Sequence, residues 1–252
     1  MSSKRDVPKK MGKSEERKEV VRTRFAPAAG HFAARAREQA PRISERVARL
    51  LAPLRGDERA LDAGTGAGAL ALGLAPLVGE VVGCDIVSEL LAAARKLAAD
   101  LPNVSFVAGD IFALPFETGS FDIVGTIRTL HHLERPEKAI PELMRVTRPN
   151  GRLLVIDQLA PLDPPRAMEI DRFERARDPS HARTLSDQDM RGLFEMNGLT
   201  LLRQEVVSEL RNVEDFLDGA GCEGEERERV KRLAPGETFE VEVGWYVLQL
   251  RV

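Results

Sequence analysis

Residues 61–70, LDAGTGAGAL, set an aspartate (Asp62) and three glycines (Gly64, Gly66, Gly68) between apolar runs. Glycines cluster this way where a ligand approaches the backbone, because they permit the left-handed turn and leave no Cβ in between. Two more carboxylates close apolar runs downstream, Asp85 in EVVGCD and Asp110 in VSFVAGD. Asp85 suits a ribose, since one carboxylate can accept both hydroxyl hydrogens. Taken alone, the glycines allow two ligands. As G-x-G-x-x-G/A (Gly64, Gly66, Ala69), with an acidic residue about twenty positions on, they fit a dinucleotide. As G-x-G-x-G (Gly64, Gly66, Gly68) they fit a nucleoside without a pyrophosphate. Asp62 decides between them: a carboxylate is awkward beside a pyrophosphate and apt beside an amino group or a sulfonium. With Asp110 positioned for an adenine amine and the Ile111 backbone for the ring, three carboxylates on one sheet edge suit a cationic nucleoside.

Proton chemistry would fall to histidine, whose charge changes near neutral pH. The chain has an adjacent pair, His131 and His132, after a β-branched run, and His181 in a polar stretch. No metal is expected on the pair. Neighbours at a strand end point apart, and no carboxylate pair is spaced to complete a site. A dehydrogenase of the Tyr-x3-Lys kind is disfavoured, since the single tyrosine, Tyr246, lies in the last apolar run.

The elements that must position these residues read as an α/β chain. From Arg59, short β-branched runs alternate with helical stretches (67–78, 89–100, 136–146), the pattern of a doubly wound, mostly parallel sheet with helices on both faces. Before it, 14–54 reads as helices, with Pro27 and Pro41 where one helix stops and the next begins. After Leu159 the rhythm breaks. Residues 161–185 are polar, with Pro164, Pro165 and Pro179, and are too long for a routine connection. Ser186 caps a helix over 187–196, and two further strands close the chain, the last inserting antiparallel. The expected organisation is a basic disordered tail over 1–13 and one domain over 14–252. That domain divides into N-terminal helices (14–54), ligand-binding core (55–158), lid or substrate segment (159–185), and terminal helix and strands (186–252).

Composition sets bounds. A net charge of −3 gives no global reason for nucleic-acid binding. No apolar run reaches the roughly 18 residues of a membrane span, and without a signal-peptide pattern a cytoplasmic location is the default expectation. Cys84 and Cys222 fit a reducing compartment.

The stretches LDAGTGAG, VVGCDI, FVAGDIFALPFETGSFDIV and LHHLERPEKAIPELMRVTRPNGRLLVID resemble, in order, the motifs of class I S-adenosylmethionine-dependent methyltransferases. The nearest branch is the small-molecule one that includes the ubiquinone and menaquinone biosynthesis enzymes. The likeness runs from Phe25 to Asp157. It implies a Rossmann-like seven-stranded sheet with the last strand antiparallel, and S-adenosyl-L-methionine as cofactor. Carried over by position, Asp62, Gly64 and Gly66 hold the methionine end, Asp85 and Ile86 the ribose and adenine face, Asp110 and Ile111 the adenine edge. The acceptor would be a small molecule with an oxygen, nitrogen or carbon nucleophile. Phe25 and Phe32 match the family's approach helix, with phenylalanine at 32 where tyrosine is usual. With Arg128 and His181 they are the expected acceptor contacts, and His131, His132 and His181 the candidates for a base. The segment 161–185 is expected to close over the site as a lid; a surface helix supporting a homodimer is the plainer alternative. A non-catalytic binding protein on the same scaffold remains a second reading, and an NAD(P)-binding oxidoreductase a third.

Overall fold

The computed structural model describes residues 12–250. The expected tail therefore lies outside the described residues, apart from Gly12 and Lys13. Lys13 begins α1 (Lys13–Phe25), and α2 (Ala29–Leu50) follows after a short 3-10 turn at Pro27. Pro41 does not end a helix: α2 runs through it. The hydrogen bond lost at a proline nitrogen is offset by the apolar face formed by Ile43, Val47 and Leu50, which packs into the core beside Leu70 and Leu74.

The core alternates β1 (Arg59–Ala63), α3 (Ala69–Leu74), β2 (Glu80–Asp85), α4 (Ser88–Leu97), β3 (Val104–Ala108), β4 (Phe121–Ile127), α5 (Pro136–Val146) and β5 (Thr147–Leu159). Helix α3 is shorter than its apolar pattern, because Pro76, just past its last turn, has no N–H with which to continue the ladder. The remainder is α6 (Pro164–Arg177), α7 (Asp187–Met196), β6 (Leu199–Asn212), α8 (Val213–Ala220), α9 (Gly224–Lys231) and β7 (Thr238–Leu250). The sheet order is β3-β2-β1-β4-β5-β7-β6. Strands β1 to β5 pair in parallel, and β7 enters antiparallel to both β5 and β6. This is the expected doubly wound sheet with an antiparallel last strand.

Alternation along β7 shows how the sheet separates two apolar layers. Tyr246 packs on one face with Phe194 and Leu143. Trp245, one residue earlier, packs on the other with Val47 and Leu74. A third, smaller cluster was not anticipated. The stretch 161–185 contains α6, whose Phe173 joins Leu217 of α8, Val230 of α9 and Phe239 of β7. The caps that could have revealed α8 were present in the sequence. Asn212 accepts from the Glu214 and Asp215 amides, and Gly221 ends the helix in the left-handed region.

Candidate active site

The glycine turn follows β1, a central strand. Gly64 and Thr65 donate their amides to the Cys84 carbonyl at the end of β2, at 2.8 and 3.0 Å. Gly64 has φ +73°, and a Cβ there would lie 2.6 Å from the Thr129 side chain, so the turn and the loop after β4 close on each other only through glycine. Gly66 has φ +54°, and a Cβ would meet nothing nearer than Leu90 Cδ1 at 4.0 Å. Its amide donates 2.8 Å to Asp85 Oδ2, while the Val87 amide donates 2.9 Å to Oδ1. Asp85 thereby ties the turn to the end of β2, and burial pushes its carboxyl above the usual range despite these donors.

Asp62 stands apart from the other expected contacts. It is wholly buried below the turn and off the cavity wall. Its Oδ2 accepts from Thr65 Oγ1 at 2.6 Å and from the Ala71 amide at 3.0 Å, bracing the turn and the start of α3. Burial pushes its carboxyl up to about 7, against the pull of those two donors.

Gly64, Gly66, Asp85, Ile86, Asp110 and Ile111 line one wall of a cavity of about 960 Å³. That is the upper end of the usual range for small-molecule sites, room for more than one modest ligand. Asp110 accepts from the Phe112 amide at 3.0 Å and faces Lys18 of α1 at 2.8 Å. Helix α1 thus reaches across the mouth. Its Arg17 donates to the Pro179 carbonyl at 3.1 Å, to the His132 carbonyl at 3.3 Å and to the Ser180 carbonyl.

The same cavity is also lined by the expected acceptor residues Phe25, Phe32 and Arg128. The Phe25 and Phe32 rings lie 5.2 Å apart, and the buried Arg24 guanidinium sits 5.0 Å from the Phe25 ring. Arg24 pairs with Asp178 at 3.2 Å and donates to the Gly219 carbonyl at 3.0 Å, locking α1 to the turn after α6 and to α8. Arg128 has φ +51°, a strained conformation for a non-glycine residue and the kind that clusters at functional sites.

The three histidines separate. His131 donates from Nδ1 to the buried Asp157 at 2.5 Å, and its backbone amide donates to the other Asp157 oxygen at 3.1 Å. His132 lies with its ring 4.1 Å from that of His131 and its edge against Phe25 at 5.1 Å. Ser180 Oγ donates to Asp178 Oδ1 at 2.5 Å and so accepts from His132 Nδ1 at 2.9 Å. That fixes the proton on Nδ1 and leaves Nε2 as the acceptor nitrogen on a residue that lines the cavity. Burial and the adjacent His131 hold His132 well below the ordinary histidine range, so it is neutral at pH 7. Burial raises the Asp178 carboxyl, but the Arg24 and Arg177 guanidinium groups and the Ser180 hydroxyl outweigh it and hold that carboxyl well below its usual range. His181, expected at the acceptor, is instead buried off the cavity wall with Nε2 3.2 Å from Asp171. It sits behind His131, ring to ring at 5.8 Å.

Sequence reasoning did not identify Arg24, Asp157, Asp178 or Ser180. Asp157 ended a recognised strand, and that position was the available signal. The pairing of Ser180 with His132 spans 48 residues and leaves no local trace.

The parallel sheet with β7 inserted antiparallel is the fold of solved methyltransferase structures. Residues 61–155 match the family described as methyltransferase domain. An uncharacterized methyltransferase of Bacillus subtilis (strain 168), YcgJ, is 37% identical over 150 residues, 59% of this chain and 59% of that protein. A demethylmenaquinone methyltransferase of Clavibacter sepedonicus is 33% identical over 138 residues, 55% of this chain and 56% of the relative. The crystal structure of YcgJ superposes with a TM-score of 0.73 at 25% identity, covering 86% of this chain and 99% of that one. The sequence matches span less than two thirds of either curated relative.

Proposed function

We propose that the protein transfers the methyl group of S-adenosyl-L-methionine to a small-molecule acceptor, with His132 taking up the acceptor's proton. The observation that carries this reading is one cavity with two chemically different walls. One wall has the glycine turn and the Asp85 and Asp110 carboxylates; the other has apolar rings and a neutral, oriented imidazole.

The residues present fit an adenosyl sulfonium. Gly66 leaves open space where a side chain would stand. Asp85 is held by two amides and can still accept from ribose hydroxyls through its remaining lone pairs. When bound, the cofactor supplies an electrophilic methyl group. The chain's own part is alignment and exclusion of water. Phe25 and Phe32 provide the dry surface, and α1 is pinned over them by Arg17, Lys18 and Arg24. His132 Nε2 receives the proton, and Ser180 with the charged Asp178 stabilises the imidazolium that results.

In this reading the N-terminal helices and the 178–181 turn form a lid. Hydrogen exchange on adding cofactor should fall around residues 25–32 and 178–181; unchanged exchange in both would remove the lid. Isothermal titration tests the cofactor itself. S-adenosylhomocysteine should bind and NAD should not, and stabilisation by NAD alone would overturn the assignment. The His132 relay is what favours an enzyme over a non-catalytic binding protein, since a pure binder has no use for an oriented base.

No described helix is long and apolar enough to cross a membrane.

A further inference from the structure

Beside the phenylalanines, part of the cavity lining holds an excess of positive charge. Five guanidinium groups line it: Arg24, Arg35, Arg128, Arg177 and Arg211. Among the described residues, three carboxylates come within ion-pair distance of them. Asp178 takes Arg24 and Glu174 takes Arg177. Glu209 serves both Arg128, at 2.7 Å, and Arg211. Arg35, on α2 one turn beyond Phe32, has no carboxylate or carbonyl partner among the described residues. The cations also crowd one another. Burial and then the neighbouring Arg128 lower the Arg35 guanidinium, and the same two causes push Arg211 down to about 10.

Unpaired charge in a partly closed cavity is costly unless something compensates it. The proposed cofactor does not. Its one carboxylate is matched by an ammonium, and its sulfonium leaves it a net cation, so loading it increases the excess. Beside the charges stand apolar surfaces. Phe216 of α8 has the Arg177 guanidinium 4.6 Å and the Arg211 guanidinium 5.5 Å from its ring centre, a stack that holds both forks in place.

We propose that the methyl acceptor is an organic anion, bearing a carboxylate or a phosphate that Arg35 binds with help from Arg128 and Arg211. Its apolar body lies along Phe25, Phe32 and Phe216, and its nucleophile faces His132. This rests on the methyltransferase reading and adds the acceptor's chemical class. The guanidinium fork gives such a group two parallel hydrogen bonds, which is why arginine suits planar oxyanions.

The experiment titrates protein saturated with S-adenosylhomocysteine with benzoate, phenyl phosphate and octanoate. Each is compared with its neutral counterpart: benzamide, phenol and octanamide. Inorganic phosphate is included as a bare anion. The expected result is at least tenfold tighter binding of the organic anions than of their neutral counterparts. That preference should vanish in Arg35→Gln, which strands no carboxylate, and persist in Arg37→Gln, on the exposed side of the same helix. Equal binding of neutral and anionic probes, or no binding of any anion, overturns the proposal. So does inorganic phosphate binding as tightly as the organic anions, which would mark a non-selective cationic patch. If Arg35→Gln instead loses affinity for S-adenosylhomocysteine, the cofactor's own carboxylate is the partner and the proposal fails while the methyltransferase reading stands. If the wild type does not bind S-adenosylhomocysteine, the cofactor assignment falls. The same probe pairs on the unloaded protein then decide the anion site by itself.

Discussion

In the proposed reading, the cofactor wall of the cavity is made from strand ends and the turns that follow them, whereas the acceptor wall adds to the loop after β4 the helices α1, α2 and α8 and the 178–181 turn. On the first wall nearly every polar group is satisfied within a few residues or by the adjacent strand: Asp85 by Gly66 and Val87, Asp110 by Phe112. On the second, single side chains bridge elements far apart in the chain, as when Arg24 joins α1 to Asp178 and to Gly219. A wall of strand ends is positioned by the sheet and can be reused with little change for one cofactor. A wall held by long-range pairs can be rebuilt for a new acceptor without disturbing the sheet.

If that contrast is correct, the largest effect should come from a bridge on the acceptor wall. Arg24→Ala leaves Asp178 charged and buried, and should lower stability by about 3–5 kcal/mol in urea unfolding. A loss below about 1 kcal/mol would mean that water replaces the guanidinium and that the wall is looser than described. Behind the glycine turn, off the cavity wall, lies a buried carboxyl, Asp62. The folded state keeps the Asp62 proton up to about pH 7, while the unfolded chain releases it near 3.8. Between those values the folded state binds more protons, so this group makes stability fall as pH rises, by as much as about 4 kcal/mol. Asp62→Asn removes that term, and its unfolding free energy should be flatter than wild type from pH 4 to 7. Parallel profiles would refute the buried proton.

Two substitutions test the division of labour directly. His132→Gln should cut kcat by about 10²-fold with S-adenosylhomocysteine affinity unchanged. Comparable losses in both would place His132 in binding rather than in proton transfer. Asp85→Ala should do the reverse, weakening cofactor binding by about 2–3 kcal/mol in titration calorimetry. Wild-type affinity in that variant would remove Asp85 from the site. The smallest change is expected at the seam between the walls. Lys18→Ala breaks a half-exposed bridge to Asp110 and should cost under about 1 kcal/mol in cofactor affinity. A larger loss would make α1 a part of the cofactor wall.

The same contrast explains what could be read from the sequence. Strand, glycine turn and carboxylate form a local code, so Gly64, Gly66, Asp85, Ile86, Asp110 and Ile111 were identifiable and lie together on the cavity. Asp62 was identifiable as unusual but not as buried, because its burial follows from β1 lying between β2 and β4. Phe25 and Phe32 were legible only through the resemblance to the family's approach helix. His181 was not placed correctly, since a histidine in a polar segment reads as exposed until α6 is known to carry Asp171 beside it. The arginine cluster left no sequence signature at all, because 24, 35, 128, 177 and 211 converge only through the fold.

Strand β7 has a consequence for how the chain acquires this fold. It lies between β5 and β6, and β6 has no other partner in the sheet. While the chain is still leaving the ribosome, β1 to β5 can pair in sequence, but β5 then presents an open edge and β6 has nothing to join. Both wait for residues 238–250. During that interval the β5 edge is a template for strands of other chains. The arginines on α6 and β6 cannot be brought together at the cavity until the paired strands β6 and β7 dock. Nascent chains halted before Thr238 should therefore be sticky, protease-sensitive and unable to retain an acceptor, even though every strand that forms the cofactor wall has already been made.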